Sequence, residues 1–386
     1  MTVAAFMDLA LYDPEFGYYA RASQRSGRAG DFFTNVDVGP LFGELLEIQL
    51  AEMFDLLQSA GEGRPSPVDL VEVGAGNGRL SADVLRAARR RNPALYERVA
   101  LHLVEASPTA RGAHRVTLGD VADRLLSSAP TLPKSFEGVL VANELLDAMP
   151  VHQVVQRHDG LREIYVDVAR ASPEAESPRS GPRASQARPA REVRDDVRLV
   201  AREGPPSTPA LADYLSRVGI ALEPGWRTEI NLRAVDWVRE AAGRMRRGFM
   251  ILIDYGHEAR ELISATHANG TLTSFTGHVI ADAESAADRP RWLERAGEQD
   301  LTAHVDFTSV RAAAEEAGLV TLGFLDQTYF LLGLHDGTAF TQLSQRLAFR
   351  TLMMPGGLGS THKVLLLGKG VGKPPLRGCS FRQRVT

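Results

Sequence analysis

From about Val68 onward, short apolar runs alternate with stretches of helical periodicity, and the runs end in glycine or a polar cluster. Asp69–Val73 ends in a glycine turn, Ala100–Val104 in Glu105, and Gly138–Ala142 in Asn143-Glu144. Phe249–Ile253 ends in Asp254-Tyr255-Gly256, and Lys363–Leu367 is a late run ending in Gly368. Between the first two runs, Leu80, Val84, Ala87 and Ala88 recur at helix spacing, with Arg86, Arg89 and Arg90 turned outward. Strands covered on both faces read as continuous apolar runs, and helices between them make the pairing parallel. The pattern predicts an α/β fold with a doubly wound, Rossmann-like parallel sheet. Ligands of such sheets bind beyond the carboxyl ends of the strands, where the polar clusters fall.

Around that core the chain divides into 1–63, an N-terminal helical segment, and 64–168 with 226–372, the core and its insertions. A helix near Pro40–Leu57 carries Leu41, Leu45, Ile48 and Met53 on one side. Residues 169–209 are rich in Pro, Ser, Ala and Arg and nearly free of aromatics, which reads as a flexible insertion with a strand at Val197–Ala201. Residues 373–386 read as a C-terminal tail.

Several classes of function are excluded early. The net charge of −4 argues against a duplex nucleic-acid partner or an anionic membrane surface, both of which need a basic surplus. The single cysteine, Cys379, permits no disulfide within the chain and no cysteine-rich zinc site. The N-terminus lacks the charged start and apolar stretch of a signal peptide, and no run nears the roughly 18 apolar residues of a membrane span. A cytoplasmic protein without membrane insertion is expected. His267, His278, His304 and His362 are scattered along the chain without metal-ligand spacing, so no metal is expected. No Gly-x-Ser-x-Gly elbow of a serine hydrolase is present.

The strongest local motif is VEVGAGNG, Val71–Gly78, with Gly74, Gly76 and Gly78 between a strand and a helix. The first glycine allows the tight turn, the second lets backbone approach a ligand, and the third lets the helix pack on the strand. Dinucleotide folds prefer G-x-G-x-x-G, which seats a pyrophosphate on the helix N-terminus. Here the spacing is tighter, and Glu72 precedes the first glycine by two residues, where an acid repels a pyrophosphate and suits a cation. S-adenosylmethionine carries a sulfonium and an amino group and no phosphate, so it is the expected cofactor. Glu105, ending the second strand, is placed to accept ribose hydroxyls. Asp120 falls late in an apparent helix and is a poor adenine contact.

VLVANELLDAMPVHQ, Val139–Gln153, sets Asn143 and Glu144 just past the third strand, and Glu144 and Asp147 share a face if the segment turns as a helix. Two carboxylates on one face could hold a guanidinium by charge-assisted hydrogen bonds. The competing reading is a solvated helix start, where acids meet the positive end of the dipole. Asp254 has a similar place after the fourth strand.

These motifs together resemble the MidA-like family of S-adenosylmethionine-dependent methyltransferases, which includes the mitochondrial complex I assembly factor. The resemblance runs almost end to end. It covers FMDLALYDPEFGYY (Phe6–Tyr19), GDFFTNVDVGPLFGELL (Gly30–Leu46), VEVGAGNG, VANELLDAMPV (Val141–Val151), TEIN (Thr228–Asn231) and ILIDYGHEA (Ile251–Ala259). It continues through GTLTSFTGH (Gly270–His278), DLTAHVDF (Asp300–Phe307), Gln327 with Phe330-Leu331, and HKVLLLGKG, and the tail from Pro374 looks like that of some bacterial members. The resemblance implies a class I methyltransferase core with an added helical N-terminal part, and S-adenosylmethionine as cofactor. It implies that Gly74, Gly76, Gly78 and Glu105 serve the cofactor, beside Glu72, and that Gly30-Asp31-Phe32 closes over the same cleft. Asn143, Glu144 and Asp147 would face the acceptor, with Glu229, Asp254 and Asp306 as outer candidates. Departures from the family pattern include Ala75 in the glycine turn, Asn35-Val36 after the GDF triplet, Leu145-Leu146 before Asp147, and His362 where an aromatic Phe is usual.

Three functions fit this reading. The first is methylation of a protein arginine on a respiratory complex I subunit, in support of its assembly. The second is a small-molecule N- or O-methyltransferase of specialised metabolism. The third is a non-catalytic assembly factor that retains the fold.

Overall fold

The computed structural model describes residues 1–21, 34–59, 67–170, 197–276, 279–280, 290–335, 337, 340, 342–355 and 357–381. Its central sheet is built from β1 (Val68–Val73), β2 (Val99–Val104), β3 (Leu125–Ala129) and β4 (Phe136–Asn143). A second, antiparallel sheet follows, from β5 (His152–Arg157), β6 (Gly160–Arg170), β7 (Val197–Gly204) and β8 (Arg227–Ile230), in the order β7-β6-β5-β8. The chain then re-enters the central sheet with β9 (Met245–His257). A small sheet contains β10 (Thr273–Thr276), β11 (Val279–Ile280) and β12 (Asp300–Thr302). The short β13 (Val305–Asp306) pairs with the end of β9, and β14 (Val320–Asp326) and β15 (His362–Lys369) complete the central sheet. Its order is β14-β15-β9-β4-β1-β2-β3.

The apolar runs become strands because both of their faces are covered. Leu70 packs into one core while Val71 and Val73 pack into the other, and along β9 Phe249, Ile251 and Ile253 alternate in the same way with Met250 and Leu252. The helices Leu41–Ser59 and Arg79–Arg91 contribute to the first core; Leu232–Arg244 and Phe307–Glu316 contribute to the second. Arg79–Arg91 buries Leu80, Val84, Leu85 and Ala88, and it ends with Arg89, Arg90 and Arg91 at the negative end of its dipole. Strand spacing in the centre is held by glycine. A Cβ on Gly138 would lie 1.9 Å from the Asp69 carbonyl oxygen, so no other residue fits there.

The sheet departs from the all-parallel expectation at one strand. β15 runs antiparallel to both β9 and β14. The reason is the connection. Asp326, which ends β14, pairs with Lys363 near the start of β15, so the intervening helices leave and return at the same end of the sheet. No crossover over a face is made, and the next strand must run backwards.

A third core joins the N-terminus to the antiparallel sheet. Val3, Met7 and Leu11 of the helix Val3–Tyr12 are fully buried against Val155 and Leu301, with Val151, Ile164 and Trp292 nearby. Deleting a buried leucine side chain such as Leu11 costs about 2–5 kcal/mol. That packing fixes the position of Tyr12 at the end of the helix. The antiparallel sheet begins at His152, ahead of the 169–209 stretch, and the Val197–Ala201 strand is observed as the start of β7. Most of 169–209, namely 171–196, lies outside the described residues. Among the described residues no helix is long and apolar enough to cross a membrane.

Candidate active site

The glycine turn lies between β1 and the helix Arg79–Arg91. Gly74, Gly76 and Gly78 all have positive φ, at 70°, 52° and 88°. That is the left-handed region where a side chain is strained. A Cβ on Gly74 would press on Leu145 at 3.0 Å and one on Gly78 on Leu103 at 3.2 Å, whereas one on Gly76 would meet nothing within 4 Å. The middle glycine therefore faces open space. Glu105 stands beside it: Oε2 accepts the Gly76 N–H at 2.9 Å and Oε1 accepts the Ser107 N–H at 2.8 Å. His114 supports the turn from behind, with Nε2 2.9 Å from the Gly76 carbonyl and Nδ1 2.9 Å from Ser128 Oγ.

Glu72 has a different place from the one its position in the motif suggests. It is buried, and its Oε2 accepts both the N–H and the hydroxyl of Ser81 in the first turn of the helix. Burial pushes its carboxyl up to about 7 against the pull of those hydrogen bonds. It pins strand to helix underneath the turn.

Asn35 connects the N-terminal segment to this edge of the sheet. It sits at the start of the 3-10 turn Asn35–Val38 and is fully buried. Its N–H donates to Glu144 Oε1 at 3.0 Å, its Nδ2 donates to Asn143 Oδ1 at 3.3 Å, and its Oδ1 accepts from Gln327 Nε2 at 2.8 Å. Two residues on, Asp37 pairs with Arg79 at 2.9 Å, and the same guanidinium donates to the Val36 carbonyl at 2.6 Å. The Arg79 guanidinium beside the glycine turn is thus spent on the protein itself. Nothing in that arrangement is built for a pyrophosphate, and a glycine cradle with a strand-end acid fits S-adenosylmethionine.

The segment after β4 is not the helical turn that the Glu144–Asp147 spacing predicts. Glu144 has φ +52°, one of two non-glycine residues with positive φ among the described residues, and no helix forms between β4 and β5. The backbone is instead folded around Asp254. Its Oδ2 accepts the N–H groups of Leu145 and Leu146 at 3.1 and 2.7 Å, and its Oδ1 accepts from Tyr255 N–H at 2.9 Å. This tight loop turns Asp147 inward, where it is buried and its Oδ1 has no hydrogen-bond partner among the described residues. Burial, with the charges of Asp254, Glu144 and Asp300 added, holds the Asp147 carboxyl well above the usual carboxylate range. Asp254 is raised as well, chiefly by burial. No arginine or lysine among the described residues forms an ion pair with Glu144, Asp147 or Asp254. His362 Nε2 stands 3.5 Å from Glu144 Oε1, and its ring lies 3.8 Å from that of Tyr255.

Not every expected residue joins this cluster. Glu229 accepts from Gln153 Nε2 at 2.9 Å and from the Thr271 N–H and hydroxyl at 2.7 and 3.0 Å, so it ties β8 to the 271 loop. Asp306 caps the helix Phe307–Glu316, taking donors from Thr308, Ser309 and Tyr214. Asp120 pairs with Arg86 and Arg89. Gly30 and Asp31 lie outside the described residues. Other residues were not anticipated. Tyr12 donates to the Ala148 carbonyl at 2.9 Å and Tyr19 to Asp300 Oδ1 at 3.1 Å, which brings the N-terminal segment against the Asp147 loop. Their only signal was membership of the FMDLALYDPEFGYY stretch. The expectation of scattered histidines also needs correcting, because His257, His267 and His304 converge in space.

The strand order, with its antiparallel β15 and its glycine turn after β1, defines a class I methyltransferase. The chain matches, over residues 45–325, the Methyltransf_28 family, described as "Putative S-adenosyl-L-methionine-dependent methyltransferase". This protein belongs to that family and is an S-adenosylmethionine-dependent methyltransferase. It is 27% identical to the zebrafish (Danio rerio) "Protein arginine methyltransferase NDUFAF7, mitochondrial", over 86% of this chain and 72% of that one. The mouse (Mus musculus) protein of the same name is 29% identical, over 86% and 70%. A crystal structure of a COG1565 superfamily member from Burkholderia thailandensis, bound to S-adenosyl-homocysteine, superposes with a TM-score of 0.78 at 27% identity. It covers 99% of this chain and 90% of that one.

Proposed function

We propose that the protein methylates a guanidinium nitrogen of an arginine in a protein substrate, a respiratory complex I subunit on the family resemblance, in support of that complex's assembly. The observation that carries the reading is the group of buried Asp147 and Asp254 with half-buried Glu144, in which one Asp147 oxygen has no hydrogen-bond partner and no arginine or lysine pairs with the acids among the described residues. Buried acids without a counter-ion are costly, and a planar cation with several N–H donors relieves that cost. The names of the zebrafish and mouse relatives support the same acceptor class.

The division of labour follows from the geometry. S-adenosylmethionine supplies an activated methyl group on its sulfonium. The Gly74–Gly78 turn and Glu105 hold the cofactor. Asn143 and Glu144, fixed by Asn35, form the wall between cofactor and acceptor. Asp147 Oδ1 accepts an N–H of the guanidinium and draws its proton, which makes that nitrogen a better nucleophile. Tyr12 and Tyr19 cover the loop and exclude water.

Pure protein incubated with methyl-labelled S-adenosylmethionine and a lysate from cells lacking its gene tests the reading. A labelled protein band whose acid hydrolysate contains methylarginine is the expected result. Label confined to small molecules would replace a protein acceptor with a metabolite. Absence of any label, with S-adenosylmethionine binding intact, would point to a non-catalytic assembly role.

A further inference from the structure

Three histidines from separate stretches of chain meet at the carboxyl end of β9. His257 closes β9, His267 ends the short turn Ala265–His267, and His304 lies between β12 and β13. One ring nitrogen from each lies within 4.8 Å of the others. The ring centroids of His257 are 5.3 Å from those of both His267 and His304, and those two are 5.9 Å apart. Three imidazoles on one tetrahedral ion, with nitrogens roughly 2.0–2.1 Å from the metal, place their centroids about 5.2 Å apart. The rings therefore stand within about an ångström of a ligand arrangement.

Their polar neighbours leave nitrogens available. His267 Nδ1 lies 3.0 Å from the Glu261 carbonyl oxygen, which fixes the proton on that nitrogen and leaves Nε2 with its lone pair. His257 Nδ1 lies 2.9 Å from Glu261 Oε1 without hydrogen-bond alignment. The buried Nδ1 of His304 has no hydrogen-bond partner among the described residues. Close-packed imidazoles with unsatisfied nitrogens are unfavourable unless something is shared between them.

We propose that His257, His267 and His304 form a binding site for a divalent first-row transition ion of the zinc class, with the Glu261 carboxylate next to it. An all-imidazole set suits zinc and its neighbours and not the oxygen-seeking magnesium or calcium. An ion here ties the 259–272 stretch and the β12–β13 link to the end of β9. That link also serves the acid cluster, since the Ala303 N–H donates to the Asp147 carbonyl at 3.0 Å and the His304 N–H to Thr271 Oγ1 at 3.0 Å. The ion's role is to brace this wall, and the inference does not depend on which acceptor the enzyme uses.

The test uses the full, tag-free chain stripped by a chelator and titrated with Co²⁺ and then Zn²⁺. The expected result is one equivalent of Co²⁺ with the intense visible absorption of a tetrahedral site, its displacement by Zn²⁺, and a higher melting temperature with metal present. His267→Gln, on a short turn, and His304→Gln should each abolish the absorption and weaken Zn²⁺ binding by about tenfold or more. If His304→Gln lacks the native circular dichroism spectrum, His267→Gln decides alone. Absence of stoichiometric binding to the native wild-type protein would overturn the proposal, and so would binding by His267→Gln equal to that of wild type.

Discussion

The Asn35 N–H donates to Glu144 Oε1 at 3.0 Å, joining the N-terminal segment to the end of β4. Glu144 is held in a left-handed conformation at φ +52°, and Asn35 also reaches Asn143 and Gln327. Strain of this kind persists only where surrounding contacts over-determine it. Replacing Asn35 with Ala removes both side-chain hydrogen bonds from a buried position. Denaturant unfolding should show a loss of about 1–3 kcal/mol, the cost of buried polar groups left unpaired. Methyl transfer should fall further than affinity for S-adenosylhomocysteine, because the glycine turn is untouched. Equal losses in both would place Asn35 with the cofactor instead.

Asp147→Asn keeps the shape of the side chain and removes its capacity to ionise. Because burial and neighbouring acids already oppose that ionisation, the fold should be unharmed or slightly stabilised. Turnover should fall by about 10²-fold or more, the range for loss of a positioned acid–base group. A variant with near wild-type turnover would remove Asp147 from the chemistry.

Glu72 makes stability depend on pH. Its folded value of about 7 exceeds its ordinary value of 4.5, so the folded state holds its proton longer than the unfolded state. Its stabilising share is fully present below about pH 4.5 and is lost as pH rises through about 7, a change on the order of 3 kcal/mol. Melting curves at pH 5 and pH 8 should therefore differ more for the wild-type protein than for Glu72→Gln. Parallel behaviour of the two would show that Glu72 titrates normally.

Lys363 and Asp326 form an ion pair at 2.5 Å, both nearly inaccessible to solvent, where β14 meets β15. Lys363→Met leaves the Asp326 charge buried without its cation, and about 3–5 kcal/mol of stability should be lost. Lys363→Met combined with Asp326→Leu should recover most of it. A double variant as unstable as the single one would mean that the pair is needed for reasons beyond charge balance.

The parts of the fold that a reader of the sequence can see are those written in local pattern. β1, β2, β4 and β9 are continuous apolar runs, and the glycine turn with Glu105 lies within one βαβ stretch. β3, Leu125–Ala129, stays hidden because an edge strand whose residues alternate between half-buried and exposed carries no apolar run. The direction of β15 is likewise absent from periodicity, since it depends on where the preceding helices return the chain. At the site, the acids at strand ends are visible, while their uses are not. Glu144 and Asp147 read as neighbours on a helix, but the N–H groups of Leu145 and Leu146, bonded to Asp254, fold that segment as an irregular loop. Asn35 and the three histidines are brought together by tertiary packing alone, over separations that no spacing rule covers.

The acid cluster's wall is assembled from both ends of the chain. The glycine turn and Glu105 precede β4 in the chain, but Gln327, which holds Asn35, and His362, which stands beside Glu144, come from the last sixth of the sequence. Synthesis therefore makes the residues of the glycine turn well before those that complete the contacts of Asn35 and Glu144. On the proposed reading, acceptor selectivity thus depends on residues that are made late.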